Sequence, residues 1–391
     1  MRFQSFPFPV GGSALQRRAA LGITAALVTI ALILAYMLQP TFVPWLFRLG
    51  VMQPYPWANT MSLQSVSMVS ADDAWAVGHI SGKPTTLLMR YSRGQWTILP
   101  KPAGLDDTSE FTAVSMVSAH DGWAWASMPI PIGDRYHSFR PGGVLLHYDG
   151  NSWKSTTPVF PIGIGSDPSA LLMLSPTNGW ATGEGTTLHY DGTAWREVTA
   201  LTEKQWGGGT AIAATGPNDV WITRFGGDII HYDGTSWSEQ QITLPLPFAQ
   251  QAPGPILLTG IAMNSPEAGY AVGSIGNSSS GVILRYVGSR WFLVRTVDEN
   301  LSSVSLRPAT RSSPEEGWAV GGSNSLYHDV DGVWSKVISP VSYPLYAVAA
   351  LPTSSDAWAG GLSGALLRYH DGRWQQETNV VWSQAAKAEW K

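Results

Sequence analysis

The densest group of residues able to do chemistry lies in one short stretch, 128–143, which holds Asp134, Arg135, Tyr136, His137 and Arg140. Only 13% of the chain is charged, so an acid, two guanidiniums, a phenol and an imidazole in one loop form a candidate recognition surface. Two readings are open: a lid or recognition loop over a binding face, or a solvated loop whose Tyr and Arg pack locally. Trp206, beside Gly207-Gly208-Gly209, reads as an exposed stacking platform for sugar or peptide, or as a plug between repeats. Arg224 falls near the same rim. Glu184, Glu197 and Glu203 are isolated, and a carboxylate pair for glycoside hydrolysis is defined by distance, not by sequence position. Nucleophile elbows, phosphate loops and metal signatures do not occur in the sequence. With no cysteine, disulfides, thiolate metal sites and a Cys nucleophile are excluded. No cofactor and no metal are expected.

The elements that must hold these residues are written in a repeat. His231-Tyr232-Asp233-Gly234-Thr235-Ser236-Trp237 has near copies at Tyr148–Trp153 and Tyr190–Trp195. Looser copies end at Trp96, Trp291, Trp334 and Trp374, which makes seven. Each unit reads as four short strands. In residues 111–157 an alternating run is followed by a turn at 119–122, a strand at Trp123, a third strand ending in Tyr148, an Asp-Gly turn, and a fourth strand from Trp153. Four antiparallel strands in series form one propeller blade. The fold class is therefore all-β: a seven-bladed propeller of four-stranded antiparallel blades, at about 62–100, 111–157, 168–199, 208–243, 256–297, 301–338 and 345–378.

Second strands carry Trp75, Trp123, Trp180, Trp221, Trp318 and Trp358, with Tyr270 in the fifth blade. Fourth strands carry Trp153, Trp195, Trp237, Trp334 and Trp374. These rings are expected to fill the wedges between blades. Asp73, Asp121, Asn178, Asp219, Glu316 and Asp356, each two residues before a second-strand Trp, are expected to accept turn N–H groups. His147, His189 and His231 recur at one position. Equivalent strands pack roughly 10 Å apart, whereas a metal needs its ligands within about 2 Å, so these histidines are read as interblade packing. Closure is open between an added edge strand, from 55–59 or 380–383, and side-chain packing alone. The tail 379–391 ends in a short helix.

Residues 19–38 carry no charge, and twenty residues at about 1.5 Å each span a bilayer core. Arg2, Arg17 and Arg18 precede them, and no acid occurs before Asp72. The positive-inside bias makes 1–18 a cytoplasmic tail and places the rest outside. The apolar run is longer than a signal-peptide core and lacks an Ala-x-Ala site, so it is read as an uncleaved transmembrane helix, with the lipid bilayer as partner. Residues 39–61, with Pro40, Pro44, Pro54 and Pro56, form a stiff linker. The net charge of −4 argues against nucleic acid.

The run Asp219-Val-Trp-Ile…Gly227-Asp-Ile-Ile-His-Tyr-Asp-Gly234 resembles the propeller repeats outside the membrane in bacterial two-component sensors. It is also similar to repeats of the sialidase-type, BNR-like and photosystem-assembly-factor propellers. The likeness covers 62–378 and implies fold more than function. A sensory role would require a separate signalling partner, since only 18 residues would lie inside. A sialidase-like role would need converging arginines, for which Arg135, Arg140 and Arg224 offer no ordered motif. Long connections (128–143, 159–169, 201–208, 245–255, 274–280) fall on one face, and 308–315 on the other. The reading that follows is a monomeric, non-catalytic propeller binding a protein, peptide or glycan through its long-loop face; a glycosidase and a sensory ectodomain are the alternatives.

Overall fold

In the computed structural model, residues 60–81, 85–131, 139–156, 168–183, 185–203, 208–245, 254–276, 278–310, 315–323 and 325–389 are described. The expected membrane span at 19–38 and residues 39–59 of the linker lie outside them, as do Asp134–His137 and Trp206, while Met61, expected in the linker, begins blade 1. Among the described residues no helix is long and apolar enough to cross a membrane.

Seven antiparallel sheets are present, each a meander in chain order. Blade 1 consists of Met61–Ser70, Asp73–Ile80, Thr86–Ser92 and Gln95–Ile98. The innermost strands of the others are Glu110–Ser118, Pro168–Ser175, Ala211–Gly216, Ile256–Ser265, Leu301–Arg307 and Leu345–Ala350. Third and fourth strands are joined by two kinds of turn. In blades 1, 6 and 7 the pairs Arg93-Gly94, Asp331-Gly332 and Asp371-Gly372 both adopt positive φ, as does Gly288-Ser289 in blade 5. That is the twist a two-residue hairpin requires. In blades 2 to 4 the Asp accepts two backbone N–H groups instead: Asp149 Oδ1 from Asn151 and Ser152, and Asp233 Oδ1 from Thr235 and Ser236. Asp149 is held well below the usual carboxylate range, first by Lys154 Nζ and then by these N–H groups.

The blades are welded by aromatic rings. Trp75 of blade 1 meets Tyr148 and Trp153 of blade 2 at 4.9 and 5.4 Å. The same pair of contacts recurs from Trp123 to Tyr190 and Trp195, from Trp180 to Tyr232 and Trp237, from Trp221 to Tyr286 and Trp291, and from Trp318 to Tyr369 and Trp374. Trp358 of blade 7 then meets Tyr91 and Trp96 of blade 1 at 4.9 and 5.1 Å, which closes the ring. Burying one indole removes roughly 200 Å² from water, or about 5 kcal/mol at 25 cal/mol per Å².

The acidic marks do not serve the turns. Asp73 and Trp75 lie on one face of their strand, and Arg90 is the cross-strand partner of Trp75. The carboxylate therefore reaches Arg90 diagonally, at 2.8 and 3.3 Å, and this bond first of all raises Arg90 above its ordinary value. Asp121 meets His147 at 3.1 Å, Asp219 meets His231 at 2.6 Å, Glu316 meets His328 at 2.8 Å and Asp356 meets His370 at 2.7 Å. Turn N–H groups are capped by serine instead: Ser70, Ser118, Ser175, Ser265 and Ser354 accept from residues two further on. The recurring histidines lie beside the seam Trp, on the strand face turned to the next blade; at the equivalent place His328 stands 5.8 Å from Tyr369 of the next blade. His147, His189 and His231 stack on their own blade's Trp, at 4.7, 4.3 and 3.8 Å. His189 faces the neutral Asn178, and burial lowers its pKa.

Closure uses both open options together. Val380–Trp382 adds to blade 1 as a fifth strand, parallel to its fourth, with Val380 opposite Trp96. The joint between blades 4 and 5 is built alike: Ile242–Thr243 runs parallel to blade 5's outer strand, with Ile242 opposite Trp291. The helix Gln384–Glu389 completes the latch, with Ala386 buried in the blade 1 core. Removing 379–391 is expected to cost at least about 3 kcal/mol through lost burial of Val380, Trp382 and Ala386. Thermal unfolding of the truncated chain should show a lowered and less cooperative transition; an unchanged melt would refute the latch.

One seam departs. Blade 5 has Tyr270 for Trp and Ala268 for the acid, and blade 6 has Asp329 where other blades carry Tyr. Arg90 and Arg368 each donate to a tyrosine hydroxyl of the following blade, Tyr148 and Tyr91. At this seam Arg285 lies over Tyr270 at 5.8 Å, and the next blade presents a carboxylate instead. Asp329 is fully buried, and neither of its oxygens has a hydrogen-bond partner among the described residues. Burial, with the charge of Glu315 adding, pushes it up to about 6. A carboxyl raised on folding contributes stability that is complete below its unfolded pKa and is lost as pH rises through the folded one. Asp329→Asn should therefore match the parent near pH 4 and exceed it above pH 6 by roughly 1–3 kcal/mol. Denaturant titrations at both pH values measure this, and parallel behaviour of the two proteins would sink it.

Candidate functional site

The innermost strands surround a channel. Their free edges are not left open: serines of the preceding blade take the N–H groups. Ser65 and Ser67 accept from Val114 and Met116, Ser115 from Met173, and Ser303 and Ser305 from Val348 and Ala350, at 2.9 to 3.3 Å. An unsatisfied buried N–H would cost about 1–3 kcal/mol, so this small-residue lining is structural.

At the channel mouth the pattern changes. Six innermost strands carry a β-bulge near their start, skipping Gln64, Thr112, Ser169, Thr259, Ser302 and Tyr346 in the ladder. A bulged residue is unpaired and re-aimed. These six line the channel mouth together with Phe111, His79 and Glu110, around about 460 Å³. Thr210 of blade 4 lines the channel proper. Opposite four bulges stands a glycine for a physical reason. A Cβ on Gly78, Gly273, Gly321 or Gly361 would lie 1.9 to 2.1 Å from a first-strand or linker carbonyl oxygen.

Threonines of the channel also tie blades together. Thr210 Oγ1 donates to Leu258 O at 2.6 Å and Thr259 Oγ1 to Leu301 O at 2.7 Å. Glu110 Oε2 stands 3.8 Å from His79 Nδ1, beyond hydrogen-bond reach, and both side chains are partly exposed. Neither lysine nor arginine lines the mouth or the channel among the described residues, and Glu110 is the one carboxylate there. No group of His, Asp and Glu among the described residues has the geometry to hold a metal.

The mouth lies at the starts of first strands and the ends of second strands, so it opens on the face that carries the long connections. On that face the stretch 128–143 is not simply a loop. Asp121–Pro131 and Phe139–Tyr148 continue as a paired ribbon, with Ile130 opposite Arg140 and Pro131 opposite Phe139. Asp134, Arg135, Tyr136 and His137 fall in the segment between those strands, outside the described residues. Arg140 is placed on the ribbon's backbone. Arg224 is committed locally: its Nη1 meets Asp228 Oδ2 at 2.8 Å and its N–H donates to Asp228 O at 2.9 Å, closing the second-to-third turn of blade 4. It is not brought to the channel lining.

The bulge ring was missed from sequence, because a bulge is a property of register. A signal did exist: a polar residue or Tyr346 among the first four of six innermost strands, answered in blades 1, 5, 6 and 7 by a glycine late in the next strand.

No protein-family model matches the chain, and no curated protein sequence matches it. Solved structures do. The structure described as YCF48 bound to D1 peptide is 16% identical, covering 80% of this chain and 94% of that one, with a TM-score of 0.52. YCF48 from Cyanidioschyzon merolae is 15% identical over 82% of this chain and 98% of that one, with a TM-score of 0.55. The WD40 β-propeller domain of Doa1 is 10% identical over 82% and 94%, with a TM-score of 0.52. The fold is a seven-bladed β-propeller. At these identities the likeness extends to the fold alone.

Proposed function

We propose that this propeller is a membrane-tethered, extracytoplasmic binding module that holds an extended segment of another protein across its long-loop face, without catalysis. The observation that carries the reading is the channel mouth: a polar, uncharged ring with one carboxylate, crowned by the blade 2 ribbon on the same face. Glycoside hydrolysis would call for two carboxylates about 5–10 Å apart, and the lining offers Glu110 alone among the described residues. Peptide binding by a propeller of similar fold is seen in the YCF48 structure bound to D1 peptide. Tethering is supported by the uncharged run 19–38 behind Arg17 and Arg18.

Replacing 130–141 by a short Gly-Ser turn in the full-length chain should reduce capture of partner protein from membrane extracts at least tenfold, leaving the melt of the ring unchanged. Undiminished capture would remove the ribbon from the site. The cysteine-free chain also allows topology to be read directly. With a single cysteine at Val333→Cys, an exposed position, a membrane-impermeant maleimide should label intact cells. With Ser5→Cys it should label only after permeabilisation. The reverse pattern would overturn the tethering.

A further inference from the structure

The proton inventory of the channel mouth restricts what can sit in it. A threonine hydroxyl has one hydrogen. Thr259 commits its own to Leu301 O at 2.7 Å, and Thr112 commits its own to Trp125 O at 3.2 Å. What these groups offer the cavity is lone pairs. Gln64 uses one of its two amide N–H groups on Ser62 Oγ at 3.0 Å, which leaves its carbonyl oxygen as acceptor beside one further N–H. Glu110 adds a carboxylate with no hydrogen bond drawn from His79. The lining therefore offers lone pairs at Thr112, Thr259 and Gln64 and a carboxylate at Glu110, beside the hydroxyls of Ser302 and Tyr346, with no lysine or arginine among the described residues.

We propose that the channel mouth is a seat for an alkylammonium group, the end of a lysine side chain or the amino terminus of a bound polypeptide. An ammonium brings three donors, no acceptor and one positive charge, which complements the ring. An anion would meet Glu110 with no cation to hold it. A sugar hydroxyl would find donors at Gln64, Ser302 and Tyr346 but would leave the carboxylate of Glu110 without a counter-charge. An apolar end would strand the ring's lone pairs without partners, at the cost of their desolvation. The cavity, at about 460 Å³, is large enough for a side chain and its flanking backbone. This assignment rests on the peptide-binding reading and adds the chemistry of one subsite.

The test uses small probes, so it does not wait for the natural partner. Binding of n-butylammonium, n-butanol and n-butyrate to the full-length chain is compared by ligand-observed NMR. Butylammonium should bind at least tenfold more tightly than the other two. Glu110→Gln should abolish that preference with an unchanged thermal melt, and Glu110→Asp should restore part of it. Nα-acetyl-lysinamide and glycinamide then separate a lysine side chain from a free amino terminus. Equal binding of the three probes, a preference that survives Glu110→Gln, or binding of oligosaccharides alone would overturn the proposal. If the ribbon replacement still abolishes capture while the ammonium preference is absent, the subsite fails and the binding reading stands. If the preference is present while capture ignores the ribbon, the reverse holds.

Discussion

Everything in this molecule depends on one contact: a second-strand indole pressed against the third-strand tyrosine and fourth-strand tryptophan of the next blade. A single four-stranded sheet has two faces and no means of burying both. The indole supplies enough apolar area to make neighbouring sheets cohere. Trp75, Trp96, Trp125, Trp221, Trp291, Trp318 and Trp358 are among the largest fully buried side chains. Polar groups are arranged around this contact, not in competition with it. The guanidinium of Arg90 lies 5.1 Å over Trp75 while its nitrogens reach Asp73 and the next blade's Tyr148. One side chain thus joins the cation–π contact, the acid and the seam.

The same economy governs the inside of the ring. Innermost strands have no further strand to pair with, and an open edge invites pairing with other chains. Serine hydroxyls of the preceding blade satisfy these edges in blades 2, 3 and 7, and bulges turn one residue toward the axis in six of the strands. The channel mouth is therefore a by-product of sheet geometry whose chemistry is free to vary. The seven seams are bound by aromatic packing, whereas Gln64, Ser302 and Tyr346 answer to few packing demands. A rigid scaffold with a variable rim is how this fold serves unrelated tasks.

How much was legible follows from how local each signal is. The Tyr-Asp-Gly-x-x-Trp turn is written in consecutive residues, so the seven blades and their outer turns could be read directly. Asp219 was misread because turn propensity is judged among neighbours, while its partner His231 sits twelve residues away across a ladder. His147 does lie on the seam face, but its stacking on Trp123 is a cross-strand fact that the repeat alone does not show. Val380–Trp382 carries no repeat mark, so only the structure shows that it pairs with Trp96. Arg224 looked available because its turn partner, Asp228, is unremarkable in the sequence. The bulge ring demanded register, which spacing of apolar residues does not encode at single-residue precision.

The latch at Val380–Trp382 has a consequence for how the chain is made. Gln95 and Asn379 touch across a separation of 284 residues, so the outer strand of blade 1 waits for its neighbour until all seven blades have been made. Six seams can form as successive blades emerge, but the seventh cannot. A nascent chain delivered amino terminus first spends most of its time as an open arc with two bare rims. Such a species is a natural client for chaperones until Val380–Trp382 pairs with blade 1.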